Sequence, residues 1–298
     1  MNLRDLEYLL AVETERHFHR AADRCFVSQP TLSGQLKKLE QELGVQLVER
    51  NNRTVRMTEA GRAVAEQARR VLGEARAIKS IARTFHDPMK GELQVGLIPT
   101  VAPYLLPVIM PLFKKQYPEL KLWLHEQQTA VLLDRLHNAE LDLLILALPV
   151  ETDEFEEIDL FNEAFWLAAP RDEPLTKKKT IGLADLQNKA MLLLEEGHCL
   201  RGQALEVCFS AGARESAGFR ATSLETLRHM VGEGMGMTLI PELAVPKHRL
   251  KANPVCYIPF HKPKPSRRIG ILFRKGSYRQ NVFQNMAVLI RQHMQAQH

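Results

Sequence analysis

Apolar positions open the chain at helical spacing: Leu3, Leu6, Leu9, Leu10 and Val12 fall on one face of a first helix. A short second helix is predicted over Arg20–Phe26, carrying Ala21 and Ala22, with a tight turn at Val27–Ser28. Ser28 is a good N-cap, and Pro30 falls in the first turn, where a missing N–H does no harm. Leu32, Leu36, Leu39 and Leu43 then repeat until Gly44, which predicts a third helix over Gln29–Leu43 with these leucines inward. Two β-prone runs between Val45 and Thr58, around Asn51 and Asn52, predict a hairpin or wing. Beyond Thr58 the pattern changes. Val64, Ala68, Val71, Ala75, Ile78, Ala82 and Phe85 lie alternately four and three apart, flanked by Glu66, Arg69, Arg70, Glu74 and Arg83. So narrow a seam predicts a long helix that pairs with a second copy of itself.

After a short linker at His86–Gly91, strands and helices alternate. Strands are predicted at Leu93–Ile98, Leu120–His125, Leu141–Leu146, Met191–Leu194, Phe219–Ala221 and Met237–Ile240, with helices between. The fold class is therefore α/β, with mostly parallel sheets, in one large domain or two lobes. The domain expectation is 1–58 for a winged helical unit, 59–87 for a linker and dimerisation helix, and 88–298 for the regulatory remainder.

Composition alters this picture little. The chain has 298 residues, 45% hydrophobic and 25% charged, which suits a globular protein large enough to bury a core without disulfides. A net charge of +5 permits a polyanionic partner without requiring one. Residues 1–58 hold nine Lys and Arg against eight Asp and Glu, so charge alone would equally suit a helical bundle with a solvated polar face. Leu93–Phe113 is uncharged, but Gly96, Pro99, Pro103, Pro107 and Pro111 break it into strand, turn and helix. No export signal is visible and no membrane role is expected, so a cytoplasmic location is. There Cys25, Cys199, Cys208 and Cys256 would stand reduced. Their spacings suit no zinc site; no metal and no cofactor are expected.

The second and third helices have helix-turn-helix proportions around residues 18–37. The outward face of the third shows Thr31, Gly34, Gln35 and Lys38, flanked by Ser33 and Lys37. Such groups suit base edges and phosphates, and Arg50, Arg53 and Arg56 of the wing would add phosphate contacts. The residues Ala21-Ala22, Ser28-Gln29-Pro30-Thr31-Leu32-Ser33, Leu39-Glu40-Gln41-Glu42-Leu43-Gly44, Leu47-Val48-Glu49-Arg50 and Thr58-Glu59-Ala60-Gly61 resemble the winged helix-turn-helix of LysR-type transcriptional regulators. That resemblance implies double-stranded promoter DNA as partner, read by Ser28, Gln29, Pro30, Thr31, Ser33, Gln35, Lys37, Lys38, Arg50 and Arg53. It also implies a long linker helix, a two-lobed periplasmic-binding-protein-like domain, a homodimer or homotetramer, and contact with RNA polymerase at the nucleoid.

Cys199 lies in the stretch Gly197–Arg201 just after the strand Met191–Leu194, with His198 and Arg201 close in sequence. A thiol at a strand-to-helix junction beside cationic side chains sits where thiolate is favoured, and thiolates are oxidised by peroxide. Cys208 lies nine positions on. A helix between them would part the α-carbons by about 13–14 Å, against roughly 7 Å for a disulfide, so bonding would require unwinding. From the residues alone, the two are also read as unrelated buried thiols. The stretch Glu195-Glu196-Gly197-His198-Cys199-Leu200-Arg201, with Cys208-Phe209 and Ala211-Gly212-Ala213, resembles the sensing loop of the peroxide-responsive LysR-type regulators. Phe219-Arg220-Ala221-Thr222-Ser223-Leu224 and Gly96-Leu97-Ile98-Pro99-Thr100 extend the likeness. It implies Cys199 as the peroxidatic residue, Cys208 as the resolving one, and a peroxide pocket of Thr100, Thr129, His198 and Arg267. It further implies an activator of the oxidative stress response, hydrogen peroxide as its signal, and a cellular thiol reductant that resets it. Gly218 departs from the pattern, standing where members often carry histidine. Two alternatives stay open: a LysR-type regulator binding a small organic effector between its lobes, and, in a different class, a thiol peroxidase.

Overall fold

Asn2 starts the first helix, α1 (Leu3–Glu15), through a reciprocal cap: its side chain accepts from the Asp5 N–H and the Asp5 carboxylate accepts from its own N–H. The computed structural model describes residues 1–50, 55–84, 89–150, 152–246 and 253–296. Asn51, Asn52, Arg53, Phe85 and the first linker residues lie outside the described residues. The chain divides into two units, Met1–Asp87 with His137–Glu140, and Pro88–Leu136 with Leu141–His298.

In the first unit α2 spans Phe18–Arg24 and α3 spans Gln29–Leu43. The second helix begins earlier than its alanines suggested because the His17 ring accepts from the His19 N–H at 3.2 Å and caps it. Ser28 Oγ accepts from the Thr31 N–H at 3.3 Å, and Gly44 closes α3 at φ +69°. Leu32, Leu36 and Leu39 are buried with Leu9, Val12, Ala21 and Ala22. Leu43 differs from expectation: in the last turn of α3 it is exposed. Strands β1 (Val48–Arg50) and β2 (Val55–Met57) pair antiparallel as the wing. Glu40 Oε1 accepts from the N–H groups of Leu47 and Val48 at 2.9 and 3.1 Å, which ties the wing to α3.

The long helix α4 runs Glu59–Thr84. It lies within the first unit, and its first turns carry the buried Ala65 and Ala68 and Arg69, paired to Glu13 of α1. Farther along the predicted seam, Val71 and Ile78 are exposed and Ala75 is half-buried. At its start, a β-carbon on Gly61 would lie 2.0 Å from the Leu47 carbonyl oxygen. Gly61→Ala is therefore expected to cost about 3 kcal/mol, as overpacking against an immovable backbone; thermal unfolding of the N-terminal unit measures it.

The second unit is built on strands β3 (Gly91–Leu97), β4 (Leu120–Glu126), β5 (Leu143–Leu148) and β6 (Phe155–Pro170). They are followed by β7 (Ala190–Leu194), β8 (Arg214–Ala221), β9 (Thr238–Pro241), β10 (Val255–Pro259) and β11 (Ser266–Arg274). The helices are α5 (Ala102–Gln116), α6 (Thr129–His137), α7 (Cys199–Ser210), α8 (Leu224–Gly232) and α9 (Gln280–Ala296). The main sheet has the order β10-β6-β11-β5-β3-β4, with β9 also on β6. The expectation of mostly parallel sheets is corrected here. Among the described strands of this unit β3 runs parallel to β4 and β5, and β7 to β8, while β5–β11, β11–β6, β6–β10 and β6–β9 are antiparallel.

The sixteen-residue β6 makes two lobes of one unit. Its first part pairs with β11 over one core that holds Leu93, Val95, Leu105, Leu132, Leu144 and Phe283. Its last part pairs with β9 and β10 beside two further clusters, around Leu193 and Cys208 and around Leu194 and Leu227. This is the two-lobed α/β arrangement expected of a periplasmic-binding-protein-like domain. The uncharged Leu93–Phe113 stretch is β3, a turn and α5, and no helix among the described residues is long and apolar enough to cross a membrane.

Candidate functional site

The buried strand β7 delivers the chain through residues 195–198 to the first turn of α7, and Cys199 is the first residue of that helix. Gly197 in this loop has φ +93°, and a β-carbon there would lie 2.6 Å from Gln128 Oε1. Both conditions call for glycine. Gln128 Nε2 stands 3.5 Å from Glu195 Oε1 and from His198 Nε2. The start of α6 is thus brought against the loop that precedes Cys199. His198 is 7% exposed, and burial lowers its imidazole pKa, outweighing the opposing pull of Glu195. It is neutral at physiological pH, able to accept as well as donate a hydrogen bond.

Thr129, the residue after Gln128, has its hydroxyl oxygen buried with no hydrogen-bond partner among the described residues. An orphaned buried hydroxyl is rare because it forfeits hydration without compensation. A small hydrogen-bonding ligand would satisfy it.

Cys199 is half-buried and packs on the core that includes Ile98 and Val101. Cys208 is 3% exposed and belongs to the cluster around Leu193 and Met237. One continuous helix separates them. Nine residues at 1.5 Å put their α-carbons about 13–14 Å apart, and nine steps of about 100° place them on opposite faces. Both thiols are free. Burial pushes the Cys208 thiol up to about 11, so roughly one molecule in a thousand carries the thiolate at pH 8. Iodoacetamide applied to the reduced protein is expected to label Cys199 and to leave Cys208 unmodified until the protein is denatured. Peptide mass spectrometry reads the ratio.

Arg201 had been expected to act as a cation beside the thiol. Its guanidinium is instead held by the Leu194 carbonyl at 3.0 Å and the Glu215 carboxylate at 2.9 Å, which fastens the first turn of α7 to β7 and β8. Arg267 is more deeply placed, 3% exposed. Its Nε donates to Glu163 Oε2 at 2.8 Å, Nη1 to the Thr100 hydroxyl at 2.9 Å and Nη2 to the Thr100 carbonyl at 2.9 Å. These bonds use three of the five donors of a guanidinium. The second Glu163 oxygen accepts from the Leu243 N–H at 3.0 Å. Of the predicted pocket, Thr100 and Arg267 therefore form one hydrogen-bonded group, while His198 lies against the side chain of Gln128, the residue before Thr129.

Three partners escaped the sequence reading: Gln128, Glu163 and Glu215. Glu163 reads as a surface charge in a strand with other carboxylates, and only its register opposite Arg267 in β6–β11 betrays it. Asp142 accepts from the Gln94 N–H at 2.7 Å and Phe219 packs on the second-lobe core, both scaffold roles. Cys25 packs among α1–α3, and Cys256 lines a cleft of about 440 Å³ with Trp166, Arg171 and Lys179.

On the DNA-reading candidate, Ser28, Gln29, Pro30, Thr31, Lys37 and Lys38 are exposed on α3, with Ser33 and Gln35 half-buried. The Ser28 and Thr31 hydroxyls also bond each other at 2.7 Å in the cap. Arg50 ends β1, and Arg53 lies outside the described residues.

Comparison with known proteins bears on both units. A family model described as "Bacterial regulatory helix-turn-helix protein, lysR family" matches residues 3–62, and one described as "LysR substrate binding domain" matches residues 86–295. The chain is 50% identical to the "Hydrogen peroxide-inducible genes activator" of Dickeya chrysanthemi over 99% of its length and 96% of that protein. It is 51% identical to the "DNA-binding transcriptional dual regulator OxyR" of Escherichia coli K12, again over 99% and 96%. Full-length OxyR C199D from Pseudomonas aeruginosa superimposes with a TM-score of 0.76 at 38% identity, covering 98% of each chain. Helix-turn-helix, two-lobed domain and full-length likeness agree: the chain belongs to the lysR family of bacterial regulators, in its OxyR branch.

Proposed function

We propose that the chain is a DNA-binding transcriptional regulator of the oxidative stress response, switched by hydrogen peroxide at Cys199. The carrying observation is the placement of two free thiols on opposite faces of one helix, the first half-buried at its start, the second buried in another core. In the first step the Cys199 thiolate attacks one peroxide oxygen and the O–O bond breaks. The departing hydroxide takes a proton as water, and Cys199 is left as sulfenic acid. In the second step Cys208 displaces that hydroxyl as water and a disulfide forms. Since α7 cannot hold this bond, its formation unwinds the helix and oxidation becomes a change of conformation. Two equivalents of a cellular thiol return both cysteines to the reduced form.

The pocket residues have distinct parts. Thr129 and the neutral His198 offer hydrogen bonds to bound peroxide, and Arg267, fixed by Glu163 and Thr100, supports the thiolate before attack and the negative charge that builds on the departing oxygen during it. Residues 1–58 read promoter DNA through Ser28 to Thr31, Ser33, Gln35, Lys37 and Lys38, with Arg50 and Arg53 on phosphates. Residues 59–87 pair two copies through the bare Val71 and Ile78 face, and residues 88–298 sense. The working form is a homotetramer on DNA in the cytoplasm, in contact with RNA polymerase, needing no cofactor. Each activation takes one oxidation, which separates a regulator from a thiol peroxidase.

Brief treatment with low peroxide followed by non-reducing peptide mapping tests the reading. The expected product is a peptide pair joined at Cys199 and Cys208, with Cys25 and Cys256 free. Recovery of unmodified Cys199 would sink it.

A further inference from the structure

Phe26 is 96% exposed, more than any other large apolar residue described. Its backbone is left-handed, at φ +55°. The cause is the way α2 ends. The Phe26 N–H donates to the Asp23 carbonyl and the Val27 N–H to the Ala22 carbonyl, at 3.1 and 3.0 Å. These are the paired bonds of a Schellman cap, whose first residue past the C-cap is forced into the left-handed region. Glycine or asparagine is favoured there because a β-carbon crowds the backbone. Phenylalanine is thus unfavourable twice, in its backbone and in a ring left in water. A disfavoured conformation held at a defined place points to function rather than to folding.

That place is the turn into the recognition helix. Ser28, two residues on, caps α3, and Gln29, Pro30 and Thr31 follow, all exposed. We propose that the Phe26 ring is an apolar contact of the DNA interface, packing on deoxyribose rims and thymine methyls beside the bases that the start of α3 reads. The inference rests on the proposed DNA-reading role of α3. Duplex DNA is the occupant because the ring adjoins that surface in the chain, and because a phenyl ring suits the thymine methyl, the one apolar group on a base edge in the major groove. Phe26 forms no charged contact, so it adds affinity and preference for sequence without adding counterion release.

The test uses full-length protein and a duplex that the wild type has enriched from a random-sequence pool. Phe26→Asn and Phe26→Gly both suit the left-handed turn, so each is expected to melt no lower than wild type. Each is expected to bind the duplex about tenfold more weakly, as loss of a buried phenyl contact implies, with the slope of affinity against salt unchanged. Replacing thymine by uracil assigns the contact: a loss in wild type that is absent in Phe26→Asn marks the methyl group, and equal behaviour marks the sugar. Wild-type affinity in Phe26→Asn, or a fall in melting temperature that accounts for the weaker binding, overturns the proposal. So does a loss of self-association in place of a loss of DNA affinity. Gln29→Ala keeps the two readings apart: if it leaves sequence preference intact, α3 is not the reading helix; if it abolishes preference while Phe26→Asn changes nothing, only the role of Phe26 fails.

Discussion

Cys199→Ser protein is expected to keep its reduced DNA footprint at every peroxide dose, with transcription from its promoters held at the untreated level. Serine has no sulfur, so it forms neither a thiolate nor a sulfenic acid. Its hydroxyl fills nearly the same space against the first-lobe core, so the fold should survive and the melting temperature should stay close to wild type. Cys208→Ser is expected to differ in kind. It should still react once with peroxide, accumulate sulfenic acid that a dimedone probe traps at position 199, and form no intrachain disulfide. Its buried position makes some loss of stability expected, about 1 kcal/mol for a hydroxyl without a partner. Normal induction in Cys199→Ser would refute the assignment.

Glu163→Ala is expected to destabilise the second unit by about 3–5 kcal/mol, since it strands the Arg267 guanidinium in a site where both side chains are almost wholly buried. For a unit of this size that is a fall of about 10 °C in melting temperature. Replacing both residues by apolar ones of similar volume, Glu163→Leu with Arg267→Met, is expected to recover most of the loss. The double variant should nonetheless react slowly with peroxide, because the cation fixed on Thr100 is gone. Calorimetry reads the first effect and the rate of Cys199 oxidation the second. Equal stability of Glu163→Ala and wild type would show that the pair is solvated in solution.

The helix-turn-helix was legible because its signals are local. Ser28, Pro30 and Gly44 mark the two ends of α3, and three buried leucines mark its inward face. The second helix was misplaced at its start since a histidine cap carries little weight in sequence. In the second unit β3, β4, β5, β7, β8 and β9 stood out as apolar runs, but β6, β10 and β11 did not. Strand β6 carries Glu156, Glu157, Asp159 and Glu163 among its apolar residues, and β11 opens on Arg267 and Arg268, a composition that reads as surface. Those same strands hold the Glu163–Arg267 pair, so one blind spot hid both the sheet's direction and the support of the pocket. Pairing of remote carboxylate and guanidinium groups is a property of register, which periodicity cannot express. The commitment of Arg201 to Glu215 was missed for the same reason.

In the proposed mechanism the nine-residue spacing within α7 also sets a tempo. Peroxide would govern how fast the sulfenic acid appears, but closure onto Cys208 would wait for the first turn of helix, fastened by Arg201, to open. Once the first reaction outruns that opening, the rate of activation becomes a property of the protein and no longer of the oxidant. A brief pulse would then leave chains that a reductant recovers before they commit, whereas sustained exposure would carry them through: on that mechanism the helix is a delay that filters out transients.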